Sequence, residues 1–279
     1  MFKRLSNSWT LVKASAAVLS ADKELIVFPI ISVIGVLLVS AGFIVPVVAT
    51  GAADQLDDGP LGYVVVFAFY FATYFVIFFC NSALVGAALI RLRGGDPTVA
   101  DGLRIATSRI GAIVGYALVA ATVGMILRLI ERRAALLGRI VAAVVGLAWN
   151  LATFLAVPVL VTENIGPIEA VRRSTALLKK TWGEQVVGNS AVGAVFTLAI
   201  FLTIFGSVPL FFLAASTNNG VVIGVVAGSL GLIIFGLAIL NATLSSIYSA
   251  AVYLYAAEGS AGTMFDGDMV REAFKSKNG

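Results

Sequence analysis

The chain has 279 residues, of which 59 % are hydrophobic and 12 % charged, with a net charge of +4. Soluble domains carry about 25 % charged residues, and a water-soluble fold of this size could not bury so much apolar area, so the composition excludes a globular domain in water and points to a bilayer. There is no histidine and a single cysteine, Cys80, which removes the commonest general base, the commonest metal ligand and any intrachain disulfide.

The first 24 residues carry Lys3, Arg4, Lys13, Asp22, Lys23 and Glu24. The apolar run after them exceeds the about 7–15 residues of a signal h-region, so it reads as an uncleaved first span. A spanning helix needs about 20 predominantly apolar residues. Six stretches qualify, at roughly 25–49, 61–90, 110–127, 140–162, 185–214 and 221–256, none with an ionised side chain in its central portion. Their unbroken apolar character predicts helices, because the strands of a β-barrel alternate. The third is short and is expected to borrow a turn at either end.

Lys and Arg in short loops set orientation. With the N-terminus inside, segments 1–24, 91–109, 163–184 and 257–279 hold 15 of the 19 basic residues. Both termini are therefore expected to be cytoplasmic. The exception is Arg128, Arg132, Arg133 and Arg139, which would lie outside, as would Asp54, Asp57 and Asp58. These two clusters either face each other or are separately solvated.

Three amphipathic helices precede pairs of spans. In 2–19, Phe2, Leu5, Trp9, Val12, Ala16 and Leu19 share a face, opposite Lys3, Arg4, Asn7 and Thr10, with Lys13 near the edge. A second begins at Pro97, with Val99, Leu103, Ala106 and Ile110 apolar. A third begins at Pro167, with Ile168, Val171, Leu178 and Trp182 opposite Arg172, Arg173 and Lys180 and with Lys179 at the flank. Proline suits the first helical position. The predicted plan is three parallel repeats, at about 1–90, 96–162 and 166–256, followed by a tail at 257–279 with a final helix near Met264–Phe274. Basic amphipathic helices with tryptophan are expected either to brace the bundle or to lie among anionic headgroups. The candidate headgroup contacts are Lys3, Arg4, Lys13, Arg172, Arg173, Lys179 and Lys180.

The second span of each unit holds one asparagine, Asn81, Asn150 or Asn241. These either join helices by hydrogen bonds or line a polar path. Gly220, Gly224 and Gly228, and Gly111 with Gly115, have the four-residue spacing that lets helices approach closely. Pro46, Pro158 and Pro209 are expected to kink or end helices. Phosphate-loop, zinc-protease and nucleophile-elbow motifs are absent from the sequence, and the spans lack the central charges usual in ion-coupled carriers.

Trp149-Asn150-Leu151-Ala152-Thr153-Phe154, Pro158, Gly166-Pro167, Ala170, Arg173-Ser174 and Lys179-Lys180-Thr181-Trp182-Gly183-Glu184 together resemble an uncharacterised prokaryotic family of six-span membrane proteins, a domain of unknown function. Tyr253, Tyr255-Ala256, Gly259, Phe265-Asp266 and Ala273-Phe274 extend the resemblance. The family is similar in plan to the membrane-anchor domain beside some bacterial glycerophosphodiester phosphodiesterases. That implies architecture only, and no enzymatic activity is carried over.

The expectation is an all-α integral membrane protein of one domain, 1–279, in a prokaryotic cell membrane. It is expected to have no enzymatic activity and no cofactor. Its partners would be membrane lipids, chiefly anionic, and a protein partner or second copy, but not nucleic acid. The role would be that of a lipid-associated organiser or an assembly subunit. The alternative is a permease for a neutral or amphipathic solute, and a third reading is an intramembrane enzyme acting on lipid.

Overall fold

The computed structural model describes residues 2–51, 59–133, 135–182, 191–265 and 270, with the side chains of 2–8, 132–133, 135–137, 182 and 191–198 outside the description. Every regular element among the described residues is helical. In chain order these are α1 (Phe2–Ala21), a short 3₁₀ helix (Lys23–Ile26), α2 (Val27–Thr50), α3 (Pro60–Leu92), α4 (Val99–Ser108), α5 (Ile110–Arg133), α6 (Ala135–Thr153), α7 (Ala156–Thr162), α8 (Pro167–Trp182), α9 (Ala191–Ser216) and α10 (Gly220–Glu258). Six stretches are long and apolar enough to cross a membrane: Lys23–Thr50, Pro60–Leu92, Ile110–Glu131, Gly138–Thr162, Ala199–Ser216 and Gly220–Glu258. The third runs to Glu131, past the expected 127. Of the fifth, expected from 185, the segment 183–190 lies outside the described residues.

The fourth span is not continuous. Its helix breaks at Phe154–Leu155, four residues before Pro158. A proline has no N–H for the carbonyl four residues back, and its ring collides with that carbonyl. Here that carbonyl belongs to Phe154. Pro46 and Pro209 end neither α2 nor α9.

The core lies at one end of the bundle. Ser82–Leu89 of α3, Ala156–Val161 of α7 and Ile247–Leu254 of α10 are buried there together, with α1, α4 and α8 wrapped around them. This capped end also holds the ion pairs. Asp22 grips Arg91, whose Nη2 lies 2.6 Å from Asp96 Oδ1, and Arg93 pairs with Glu258 at 2.6 Å. Towards the other end the helices expose large side chains such as Leu37, Leu38, Val48, Leu61, Phe212, Leu213 and Val221. In water that surface would drive aggregation, whereas in hydrocarbon it carries no penalty.

Each short amphipathic helix packs mainly on membrane-length helices or their segments other than those that follow it directly. α4 packs on α3, α8 packs on α5, α6 and α7, and α1 closes the circle on α9 and α10. The faces used overlap those expected, through Val12, Ala16 and Leu19 of α1 and Val171 and Leu178 of α8, but are rotated from them. α1 buries Leu11, Val12, Ser15 and Val18, while Trp9 is 52 % exposed. α8 buries Ala170, Ser174, Leu177 and Leu178, while Ile168 is exposed. An apolar stripe marks the protein-facing side only where the other side meets water. Beside lipid, small residues such as Ser15, Ala170 and Ser174 mark the close contact instead.

α4 starts at Val99, not at Pro97. Thr98 is the N-cap and forms a capping box with Asp101, and Glu24 Oε2 accepts a further bond from Val99 N–H at 3.0 Å. These acceptors satisfy amide donors that the first turn leaves open. Gly102 allows α4 to lie on α3, since a Cβ there would sit 2.7 Å from Ala83 O and 2.5 Å from Phe28 Cζ. Among the described residues the expected glycine contacts at 220, 224 and 228 are not made, because no atom outside the adjoining stretch of their own helix lies within 4 Å of where their Cβ atoms would be. Gly111 is also open, and Gly115 meets Pro167. Of the expected final helix at Met264–Phe274, Phe265 and Val270 are buried, while Met269 and Phe274 lie outside the described residues.

Candidate functional site

Two polar features stand out from the apolar shaft. The first is a partly open groove of about 330 Å³ between α2, α3 and α10. Pro29, Ser32 and Val33 line one wall, Ile77, Cys80 and Asn81 the second, and Phe235, Ala238 and Ser246 the third. Ser246 Oγ donates to Asn81 Oδ1 at 2.7 Å, joining α10 to α3. One turn earlier on α10, Asn241 Oδ1 accepts from Ser245 Oγ at 3.3 Å. Serine and asparagine are tolerated at this depth because they bond to each other across the helices.

Asn81 thus lines the groove and is tied to α10 through Ser246, Asn241 bonds along α10 to Ser245, and Asn150 lies on α6. Asn150 is exposed on α6, and its side-chain amide makes no hydrogen bond among the described residues. Of the three asparagines only Asn81 lines this groove. The serines of the groove were missed in the sequence. A usable signal was Asn241 followed by Ser245, the spacing at which polar side chains meet on a helix.

The second feature is the basic side of the capped end. Arg172, Arg173, Lys179 and Lys180 are all exposed on α8. Arg173 pairs with Glu163 at 3.1 Å, and Glu163 also receives Tyr253 OH at 3.3 Å. Arg172, Lys179 and Lys180 form no ion pair among the described residues. Lys13 is exposed on α1 with its Nζ 5.9 Å from the Trp9 ring centre, within cation–π reach. The side chains of Lys3, Arg4 and Trp182 lie outside the described residues. So do Asp54, Asp57, Asp58, Arg132 and Arg133, on which the expected facing clusters rest. Arg128 Nη1 reaches Tyr70 OH at 3.5 Å.

Near α4, the hydroxyl and backbone N–H of Thr98 donate to Asp101 and hold its carboxyl below the usual aspartate range. This is a helix cap and not a reactive acid. No group of three or more metal-ligating side chains occurs among the described residues.

Six apolar helices of membrane length around a polar cap define a multi-pass α-helical membrane protein. Within that class, the chain belongs to the family of unknown function DUF6159, which it matches over residues 60–264. No curated protein matches it.

Proposed function

We infer that this is a non-enzymatic, lipid-associated membrane protein, an organiser or a subunit of a membrane assembly, whose basic end rests among anionic headgroups. The observation that carries the reading is the set Arg172, Lys179 and Lys180. They are exposed together on one helix, and no carboxylate among the described residues neutralises them. Each such base near an anionic leaflet contributes ~1 kcal/mol. Lys13 on α1 adds to the same end. The charge bias of the loops supports a prokaryotic cell membrane with this end cytoplasmic. The cyclic packing of α1, α4 and α8 on neighbouring hairpins supports three copies of one unit.

The test is thermal unfolding in nanodiscs of phosphatidylcholine with and without phosphatidylglycerol. The anionic lipid should stabilise the native chain. The variant carrying Arg172→Gln, Lys179→Gln and Lys180→Gln should lose most of that gain. An equal gain in both proteins defeats the reading.

A second reading, a permease for a neutral or amphipathic solute, is favoured by the groove at Asn81, which is of small-molecule size and carries no charged lining residue.

A further inference from the structure

We propose that the groove between α2, α3 and α10 binds an uncharged amphiphile of glyceride type, with an ester or hydroxyl oxygen on the Asn81 amide and an acyl chain along Val33, Ile77 and Phe235. The groove is separate from the basic side of α8, so this proposal stands whether or not that side binds anionic lipid.

Depth is the first argument. A hydrocarbon core of about 30 Å is crossed by about 20 helical residues. Counting about 20 residues inward from Thr50, Pro60 and Gly220, the far ends of the three lining helices, reaches Ile30, Cys80 and Leu240. Ser32 and Asn81 thus lie close to the level where hydrocarbon gives way to ester and headgroup oxygens, and Ser246 is held beside Asn81 by their hydrogen bond. Val33, Ile77 and Phe235 lie on the hydrocarbon side of Asn81.

Chemistry is the second. Asn81 Oδ1 is taken by Ser246, while its two N–H donors have no hydrogen-bond partner among the described residues. An amide places two donors and one acceptor, so what remains is a demand for an oxygen acceptor. The lining contains no Asp, Glu, Lys or Arg. Nothing there would compensate a desolvated phosphate or ammonium, which excludes a charged headgroup from the pocket. The volume of about 330 Å³ sits at the lower end of the ~300–1,000 Å³ of small-molecule sites. It suits a compact polar group and the first part of one chain, with the rest of the chain in the surrounding lipid, and not a whole phospholipid.

Cys80 lines the groove, is only 4 % exposed and is the chain's one cysteine, so its alkylation by a reagent small enough to enter the groove reports occupancy. The full chain in dodecyl maltoside is treated with N-phenylmaleimide alone, then with added monoolein, phosphatidylcholine or phosphatidylglycerol. Monoolein should slow labelling about fivefold, the effect of roughly one hydrogen bond with its chain contacts. The two phospholipids should slow it less. Asn81→Leu should label normally and lose the monoolein effect. Ala238→Trp, which fills the groove, should label slowly in every condition. Equal protection by all three lipids would mean that any chain fills the space, and it overturns the glyceride assignment. Absence of labelling, or labelling indifferent to every lipid and to Ala238→Trp, overturns the site itself.

Discussion

The backbone N–H of Leu155 donates to Oγ of Ser174 at 3.0 Å, and both residues are fully buried. The break before Pro158 frees this donor, and a side chain from α8 takes it up. The interrupted fourth span and the third amphipathic helix are therefore one structural device. Ser174→Ala keeps the space but orphans the donor, and should cost about 1–3 kcal/mol. Thermal unfolding in detergent measures the loss, and an unchanged midpoint would show that water or relaxation replaces the bond.

Gly102 and Gly224 should respond oppositely to alanine. At Gly102 the added methyl meets backbone Ala83 O, which cannot yield easily. Overpacking of this kind costs about 1–3 kcal/mol or more. At Gly224 the methyl meets open space, so Gly224→Ala should be neutral or gain up to about 1 kcal/mol from helix propensity. A loss at Gly224 would indicate that another chain packs on this stripe.

Asn150 places an amide on an exposed face of α6, about 12 residues or 18 Å into its span from Gly138. Asn150→Leu should stabilise the protein by about 0.5–2 kcal/mol by removing that polar group from hydrocarbon. Unfolding midpoints of the two proteins in nanodiscs decide it. Destabilisation would mean that the amide is bonded to a second molecule.

The Asp101 cap should be sensitive to acid. Its carboxyl is held below the ordinary aspartate value of 3.8 by Thr98. A carboxylate with a lowered folded-state pKa contributes its full stabilisation above the unfolded-state value. That contribution fades as pH falls through and below the unfolded value. The stability difference between the native chain and Asp101→Asn should be constant from neutral pH to about pH 5 and shrink below pH 4. A difference that grows on acidification contradicts the assignment.

Orientation is tested by paired reporters. One inserted in the turn at residues 217–219 should read outside and one after residue 258 should read cytoplasmic. The reverse pattern would place the basic face of α8 outside and undo the headgroup proposal.

The sequence alone determined the environment and the number of membrane-length helices. Hydropathy is additive along a segment, and a stretch of some 20 charge-free residues carries its preference for hydrocarbon wherever it packs. The amphipathic character of α1, α4 and α8 and their places before each hairpin were legible for the same local reason. Only the tertiary structure decided which faces meet. It turned Ser15, Ala170 and Ser174 inward and left Trp9 and Ile168 outside, brought Asn81 beside Ser246 from 165 positions away in sequence, and left Asn150 exposed and Gly224 with open space beside it among the described residues. In a bilayer both sides of a helix can be apolar, so hydropathy does not say which side touches protein. That choice rests on shape and on hydrogen bonds between distant residues.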